Sequence, residues 1–385
     1  MAKSKLKLVF ICGCLEPGRD GVGDYTRRLA GEIIRLGHNA AILSLNDHFC
    51  SSPEFGTQKE GDVAIEVYRL SKVLAQKERF KLADKWVQKL NPDWLSLQFV
   101  VYSFHRKGLP FFLGKKLEYL GRGRNWHIMF HEIWVGLADD EQYKLRFLGS
   151  IQRKLIKNLI TKLNPKVIHT QTEIYKRELQ HLGFNSQLLS LPSNIPTINN
   201  ISEKTVKTDT ISLIIFGSIY LNAPFLEFAQ DIATYCTKTG QKATLTMIGR
   251  NGMEQEKWVA AFKSVGIPVI VMGEQSPETI SKTLQESTIG IITTPFYVLE
   301  KSGSAAALRS HGLPIINVAE SWRPKRYFEL TAPVDVLVYK PGNFSEFRNL
   351  KNGSSTANSI VGVGEIFLRS LSDYGKIGIK KHICF

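Results

Sequence analysis

The opening of this chain constrains its fold more than any other part. A short apolar run, Leu8-Val9-Phe10-Ile11-Cys12, leads into Gly18-Arg19-Asp20-Gly21-Val22-Gly23-Asp24-Tyr25, and then into an amphipathic segment carrying Leu29, Ile33, Ile34 and Leu36. Gly37-His38 stops that segment, and a second apolar run, Ala40-Ala41-Ile42-Leu43, follows. Strand, glycine turn, helix, glycine stop and strand make a βαβ unit. Gly21 and Gly23 can take φ > 0 and let backbone N–H groups approach a ligand closely. The helix start adds a partial positive charge suited to an anionic or polyhydroxylated ligand. A glycine turn after a first strand also serves an α/β protein with no ligand there, and the glycines alone do not choose between the two.

The alternation continues. In the first half, strand-like runs at 7–12, 40–45, 63–68, 94–99, 126–131 and 166–170 alternate with helical periodicity at 24–36, 77–89, 142–163 and 172–182. This predicts a mostly parallel sheet with helices on both faces. Residues 191–209, opening Leu191-Pro192-Ser193-Asn194-Ile195-Pro196, are polar and aperiodic and read as a linker. The rhythm then restarts, with strands at 211–216, 243–248, 268–272, 289–293 and 315–318 and helices at 223–238, 254–264, 277–286 and 303–311. The expected fold class is α/β, with two Rossmann-like doubly wound domains. The first spans 1–195, a linker 196–209, the second 210–360, and a helical tail over 361–385 is expected to pack back on the first domain.

Charge is uneven: residues 1–195 hold a net +11 of the total +15 over 385 residues. A basic half suits a phosphate-bearing substrate, an anionic membrane surface or nucleic acid. With no zinc-finger spacing and no RNA-recognition signature, no nucleic-acid partner is expected. Along 144–163, Ile151, Leu155, Ile156, Leu159, Ile160 and Leu163 form an apolar stripe, with Arg153, Lys154, Lys157 and Lys162 elsewhere. That reads as a core-facing helix with a solvated basic side; an interfacial membrane helix is the alternative. The apolar run after Lys3-Ser4-Lys5-Leu6-Lys7 is broken by Gly13, Glu16 and Pro17, so it reads as a first strand and not a cleaved leader. Five scattered cysteines, at 12, 14, 50, 236 and 384, point to reduced thiols in a cytoplasmic protein.

In an open α/β sheet a ligand lies beyond the carboxyl ends of the strands, where strand order reverses. Pro295 to Ser304 runs from a strand into Lys301-Ser302-Gly303-Ser304 and then the small-residue helix Ala305-Ala306-Ala307-Leu308. Free N–H groups at that start, with Lys301 and the Ser302 and Ser304 hydroxyls, would hold a diphosphate. The plainer reading makes Lys301 a solvated cation and Ser302 a helix cap. His131 and Glu132 end a predicted strand; without a second His four residues on they are no metalloprotease motif, and His131 is either a histidine satisfied at a strand end or one that faces a ligand. Gly217-Ser218, Arg250 and Gly273-Glu274 follow three strands of the second domain. His105 follows the strand ending near Gln98 and is either an acceptor contact or a loop residue.

The wording of the first loop, Gly-Val-Gly-Asp-Tyr then a helix then Leu-Gly-His, resembles family-4 (group 1) glycosyltransferases, which carry G-G-x-x-x-Y/H-x-x-x-L-A followed by G-H or G-Y. The His311-Gly312-Leu313-Pro314-Ile315-Ile316 segment resembles the family's A-x-A-x-G-x-P-V-I ending. The resemblance covers nearly the full chain and implies GT-B architecture, two Rossmann-like domains facing across a cleft. It implies a nucleotide-sugar donor, an acceptor hydroxyl on a glycan or lipid-linked sugar, retention of anomeric configuration, and a role in glycan or glycolipid biosynthesis. No cofactor and no obligatory metal is expected. On this resemblance Gly21, Gly23, Asp24 and Tyr25 form a loop that helps place donor and acceptor, the glycines toward the donor and Asp24 and Tyr25 toward the acceptor, and His131 hydrogen-bonds the donor sugar or helps the acceptor; Glu132 beside it, like His105, is an acceptor-side candidate. Gly273-Glu274 matches the loop near the nucleotide base.

The chain departs from the family in three places. The family's E-x7-E pair is not kept: position 308 is Leu, and Glu300 stands about one position off register as the candidate counterpart of the first Glu. It resembles instead a subgroup with a Lys-Ser-Gly segment. Where the family has G-R with a Lys five residues later, this chain has Gly217-Ser218 and Ala223. Lys301 or Arg250 would then supply the cation, though Arg250 reads equally as a surface residue. These departures keep open a same-fold non-transferase, such as a sugar-nucleotide epimerase, and an inactive binding protein. A cytoplasmic protein, with peripheral contact at an anionic inner membrane face as an open addition, is the expected setting.

Overall fold

The structure, a computed structural model, describes residues 5–198, 209–353 and 359–381, with side chains as far as residue 372 in the last stretch. It divides into two compact units. The first comprises the chain up to Leu189 together with the helix that starts at Ile360; the second runs from Ser190 to Ser359. Most of the expected linker lies outside the described residues.

The first unit contains β1 (Lys7–Cys12), α1 (Gly21–Arg35), β2 (Asn39–Asp47), β3 (Glu54–Glu60), β4 (Val63–Ser71), α2 (Gln76–Leu90) and β5 (Trp94–Phe99). The short α3 (Val101–Phe104), α4 (Leu113–Leu120), β6 (Asn125–Phe130), α5 (Tyr143–Leu163), β7 (Val167–Thr170), α6 (Glu173–His181) and β8 (Gln187–Leu188) complete its continuous part. The second unit contains β9 (Thr210–Phe216), α7 (Phe225–Thr239), β10 (Lys242–Ile248), α8 (Gln255–Ser264), β11 (Val269–Gly273), α9 (Pro277–Glu286) and β12 (Ile289–Ile292). A 3₁₀ segment at Phe296–Lys301, α10 (Gly303–Ser310), β13 (Ile315–Asn317) and β14 (Val336–Val338) follow. Helix α11 (Ile360–Lys381) returns to the first unit.

Strand order is β3-β4-β2-β1-β5-β6-β7-β8 in one sheet and β11-β10-β9-β12-β13-β14 in the other. All neighbours are parallel except β3 and β4. Each sheet is covered on both faces, so its central strands are near-continuous apolar runs: every residue of β5 is buried. Along β9, Ile211, Leu213 and Ile215 pack with Phe228 and Trp258 of α7 and α8, while Ile214 packs with Leu284 and Leu308 of α9 and α10. That period-two alternation makes the second unit doubly wound. In the first unit α11 lays Phe367, fully buried, on Phe10 at 5.8 Å and on His127 at 5.0 Å between ring centroids.

One sequence expectation changes, and two stretches that the sequence reading left unassigned hold elements. Helix α1 starts at Gly21, so Gly21 and Gly23 form its first turn, and the left-handed glycine of this loop is Gly18 (φ 69°). The stretch between β2 and β4 holds the antiparallel strand β3, a polar, partly exposed edge whose charges blunt pairing with another chain. The stretch after β5 holds α3 and α4.

Candidate active site

Strand order reverses between β9 and β12 in the second unit and between β1 and β5 in the first, and each reversal opens a crevice at the carboxyl ends of the strands.

At the second-unit crevice Gly217 takes φ 83°. A Cβ there would lie 2.6 Å from Ser304 Oγ, so the β9 turn and the first turn of α10 approach to a distance only glycine permits. Asn251 Nδ2 donates to the Gly217 carbonyl at 2.7 Å, and the Gly217 N–H donates to Ile248 O at 3.0 Å, which pins the turn. Ser302 caps α10, its Oγ accepting from the Ala305 N–H at 3.3 Å. A Cβ on Gly303 would meet nothing within 4 Å, so the way to the helix's unpaired N–H groups is open. Lys301, half-buried, closes the 3₁₀ segment just before the cap. N–H groups at a helix start and neighbouring hydroxyls are the kind of groups that bind anions.

Behind the turn, Arg309 of α10 joins Glu300 at 2.7 Å and Asp335 at 2.6 Å. Burial alone would lower the Arg309 guanidinium pKa, but the two carboxylates outweigh it and hold the group charged. Glu300 is thus engaged by α10. Arg250 and Glu274 face each other at 2.8 Å in an exposed pair just beyond β10 and β11.

At the first-unit crevice Asp20 caps α1, Oδ1 accepting from the Gly23 N–H at 2.7 Å. Burial raises the Asp20 carboxyl despite the Gly23 and Val22 N–H groups. A Cβ on Gly23 would lie 2.6 Å from the Cys14 carbonyl, whereas one on Gly21 meets nothing within 4 Å. Gly23 therefore serves close packing, and Gly21 leaves backbone accessible. Tyr25 is 4% exposed and sets its ring edge-on to His131, centroids 4.7 Å apart. Among the described residues its hydroxyl has no hydrogen-bond partner, and burial pushes its pKa up. His131, also buried, donates from Nε2 to Gln98 Oε1 at 3.0 Å; Gln171 Nε2 donates to its Nδ1 at 3.4 Å.

The loop before α1 is fastened by Asp47. Its fully buried carboxylate accepts from Arg69 at 2.8 and 3.0 Å, Leu15 N–H at 3.1 Å, Phe49 N–H at 3.0 Å and Ser44 Oγ at 3.1 Å. Burial would raise this carboxyl, but Arg69 and the N–H donors prevail and lower it. Arg69 also reaches Glu16 at 2.6 Å, so one buried cation ties β4, β2 and the loop together.

No protein-family model and no curated protein sequence matches this chain. Solved structures do. The lipopolysaccharide outer core galactosyltransferase WaaB superposes over 96% of this chain and 99% of its own, with 16% identity and a TM-score of 0.58. Anabaena Alr3699/HepE in complex with UDP superposes over 96% and 100%, with 11% identity and a TM-score of 0.58. The fold is that of the GT-B glycosyltransferases. A Listeria monocytogenes protein assigned as a UDP-N-acetylglucosamine 2-epimerase superposes over 95% of each chain, with 11% identity and a TM-score of 0.50. At these identities the likeness concerns fold alone.

On this GT-B frame the second-unit crevice gathers Gly217, Ser302, Gly303 and Ser304 of the sequence candidates, with Ser218 next in the chain. The first-unit crevice gathers Gly21, Gly23, Tyr25 and His131. Asp24 accepts from the Gly18 N–H at 3.1 Å and pairs with Arg27, bracing the loop. Exposed His105 closes its own turn, Nδ1 accepting from the Lys107 and Leu109 N–H groups at 3.3 and 3.2 Å. Glu132 is half-buried beside His131, and Gly273 takes φ 65° and accepts from the Gly249 N–H at 2.7 Å. Sequence reading missed Gln98, Gln171, Asp47 and Asn251, none of which sits in a recognisable motif. Among the described residues, no cluster of three or more His, Cys, Asp or Glu side chains is placed to hold a metal ion, and no helix is long and apolar enough to cross a membrane.

Proposed function

We propose that this protein is a retaining glycosyltransferase that moves a hexosyl group from a nucleotide sugar to an acceptor hydroxyl in glycan or glycolipid biosynthesis. The observation that carries the proposal is the second-unit crevice, where Gly217 backs onto Ser304 and leaves the first turn of α10 open beside Lys301. Such a site suits the diphosphate of the donor. In the reaction the bond from the anomeric carbon to the diphosphate breaks, and negative charge grows on the leaving group. Lys301 and the α10 N–H groups stabilise that charge. The acceptor hydroxyl attacks the same face, and its proton passes to a diphosphate oxygen. Tyr25 offers its hydroxyl to the sugar or the acceptor, and His131 packs edge-on beside it. No obligatory metal or cofactor enters this reading.

The neighbours support the donor class: Anabaena Alr3699/HepE is in complex with UDP and with UDP-glucose. We further propose a cytoplasmic setting and a glycan or lipid-linked acceptor, with peripheral contact at an anionic membrane face. The first unit supports that contact, exposing Phe112 (74%), Tyr143 (87%) and Phe147 (69%) along stretches that also carry Lys115, Lys116 and Lys144. A second reading, a sugar-nucleotide epimerase, draws on Gly217-Ser218 in place of Gly-Arg, on Leu308, and on the Listeria neighbour.

Thermal stability against UDP-, GDP-, ADP- and TDP-sugars and NAD tests the donor class, since a ligand that binds only the folded state raises the melting temperature. A shift with one nucleotide sugar is expected, followed by nucleoside diphosphate release only when an acceptor is present. Epimerised donor without acceptor would select the second reading, and no shift with any compound would overturn both.

A further inference from the structure

A line of buried polar side chains runs from His131 into the first-unit sheet. His131 Nε2 lies 3.0 Å from Gln98 Oε1, Gln98 Nε2 2.8 Å from Ser96 Oγ, Ser96 Oγ 2.7 Å from His127 Nδ1, and His127 Nε2 3.0 Å from His169 Nδ1. Gln98, Ser96, His127 and His169 are 0% exposed and His131 6%. Buried polar groups that find partners at every step rigidify one arrangement. Each group except the amides can donate or accept, so the line has two polarities, and one amide orientation sets all the others.

The amides at the upper end select one polarity. At the upper end Gln171 Nε2 donates to His131 Nδ1 at 3.4 Å, which requires that nitrogen to be bare and puts the ring proton on Nε2. That proton then points at Gln98 Oε1, leaving the Gln98 NH2 for Ser96, the Ser96 hydroxyl proton for His127 Nδ1, and the His127 Nε2 proton for His169 Nδ1. At the lower end His169 Nε2 then carries a proton, with no partner at hydrogen-bond distance among the described residues.

We propose that Gln98 and Gln171 are positioning residues that lock His131 as the Nε2–H tautomer, with Gln98 holding that choice through Ser96, His127 and His169. His131 then stands beside the unpartnered Tyr25 hydroxyl as a fixed, uncharged polar group and not as a proton-accepting base. This rests on the role given to His131 above only for its consequence in transfer; the tautomer itself is independent of it.

Long-range ¹H–¹⁵N correlation spectra of the intact, ¹⁵N-histidine-labelled protein at neutral pH test it, with His131→Asn identifying the resonances. Nε2 of His131 is expected protonated and Nδ1 bare. Nδ1–H, a mixture of tautomers, or a doubly protonated ring would overturn the proposal. Gln98→Met removes the acceptor and the link to Ser96: His131 is expected to become a mixture, while an unchanged Nε2–H signal would overturn the role of Gln98. If Gln98→Met does not fold, Gln171→Met gives the same reading at Nδ1, and the wild-type spectrum still decides. In transfer assays Gln98→Met is expected to lower kcat at least tenfold with donor KM within twofold. Full activity of His131→Ala alongside the expected spectrum would refute the catalytic reading of His131 and leave the tautomer lock standing.

Discussion

The pair His127 and His169 makes acid a specific threat to the first unit. Both rings lie inside the sheet, and burial drives both pKa values down: His127 well below the usual range, with His169 and His131 adding to the effect, and His169 to about 4. An unfolded histidine titrates near 6.5. Above that pH the two states bind the same protons and the pair adds no pH dependence. Below it the unfolded state takes up protons the folded state refuses, so stability is lost as pH falls from about 6.5 toward about 4. Each pH unit in that window is worth about 1.4 kcal/mol per group. His169 alone therefore lowers unit stability by about 2 kcal/mol between pH 7 and pH 5, and His127 acts in the same direction. His169→Gln removes one titrating ring while keeping an amide for His127. Hydrogen exchange at the β6 amides Ile128 to Phe130, corrected for the intrinsic pH dependence of exchange, reads the opening free energy of this unit by itself. The variant is expected to be less stable at pH 7 but to lose about 2 kcal/mol less than wild type on going to pH 5. Parallel pH profiles, within about 0.5 kcal/mol, would refute the argument that these rings are held uncharged by the fold.

Three further outcomes follow from the geometry. Gly23→Ala drives a Cβ to 2.6 Å from the Cys14 carbonyl and should cost about 1–3 kcal/mol of stability, whereas Gly21→Ala, with nothing within 4 Å, should leave the melting temperature unchanged while weakening donor binding; equal thermal effects would refute the division of roles. Arg69→Met leaves Asp47 buried without its cation and should cost about 3–5 kcal/mol, measured by chemical denaturation, with Asp47→Asn partly restoring stability in the double variant. Lys301→Ala should lower kcat by about 10²-fold or more in a nucleoside diphosphate release assay without changing thermal stability, and unchanged turnover would refute its role at the leaving group.

The elements legible in the sequence were those whose own residues announce them. Lys7 to Leu43 spells strand, turn, helix and strand within one stretch, and Gly312-Leu313-Pro314 marks the stop between α10 and β13. Strand β3 was not legible, because Glu54 to Glu60 is a charged edge that carries no apolar alternation of its own and gains its order from pairing with β4. The candidate site was legible where backbone geometry demands glycine, as at Gly217. It was not legible where the arrangement depends on contacts across the sheet. Gln98 sits within Trp94-Leu95-Ser96-Leu97-Gln98-Phe99, which reads as core strand, and its partner His131 is 33 residues away. Asp47, Arg69 and Glu16 are likewise separate in sequence and meet only in the fold. Glu300 was read as a candidate catalytic residue, the off-register counterpart of the family's first Glu, while its engagement with Arg309 nine residues on could be seen only once α10 was built.

Because the first unit is made from both ends of the chain, its synthesis and its closure are separated in time. The sheet from β1 to β8 emerges from the ribosome with Phe10, His127 and His169 uncovered on one face. The ring that covers them, Phe367, is translated only after the whole second unit has been made. The second unit is continuous and can complete its core first, as an insertion within a partner still waiting for its last helix. A nascent chain halted before residue 367 would present an open apolar and histidine-bearing face, a natural target for chaperones, next to a finished neighbour.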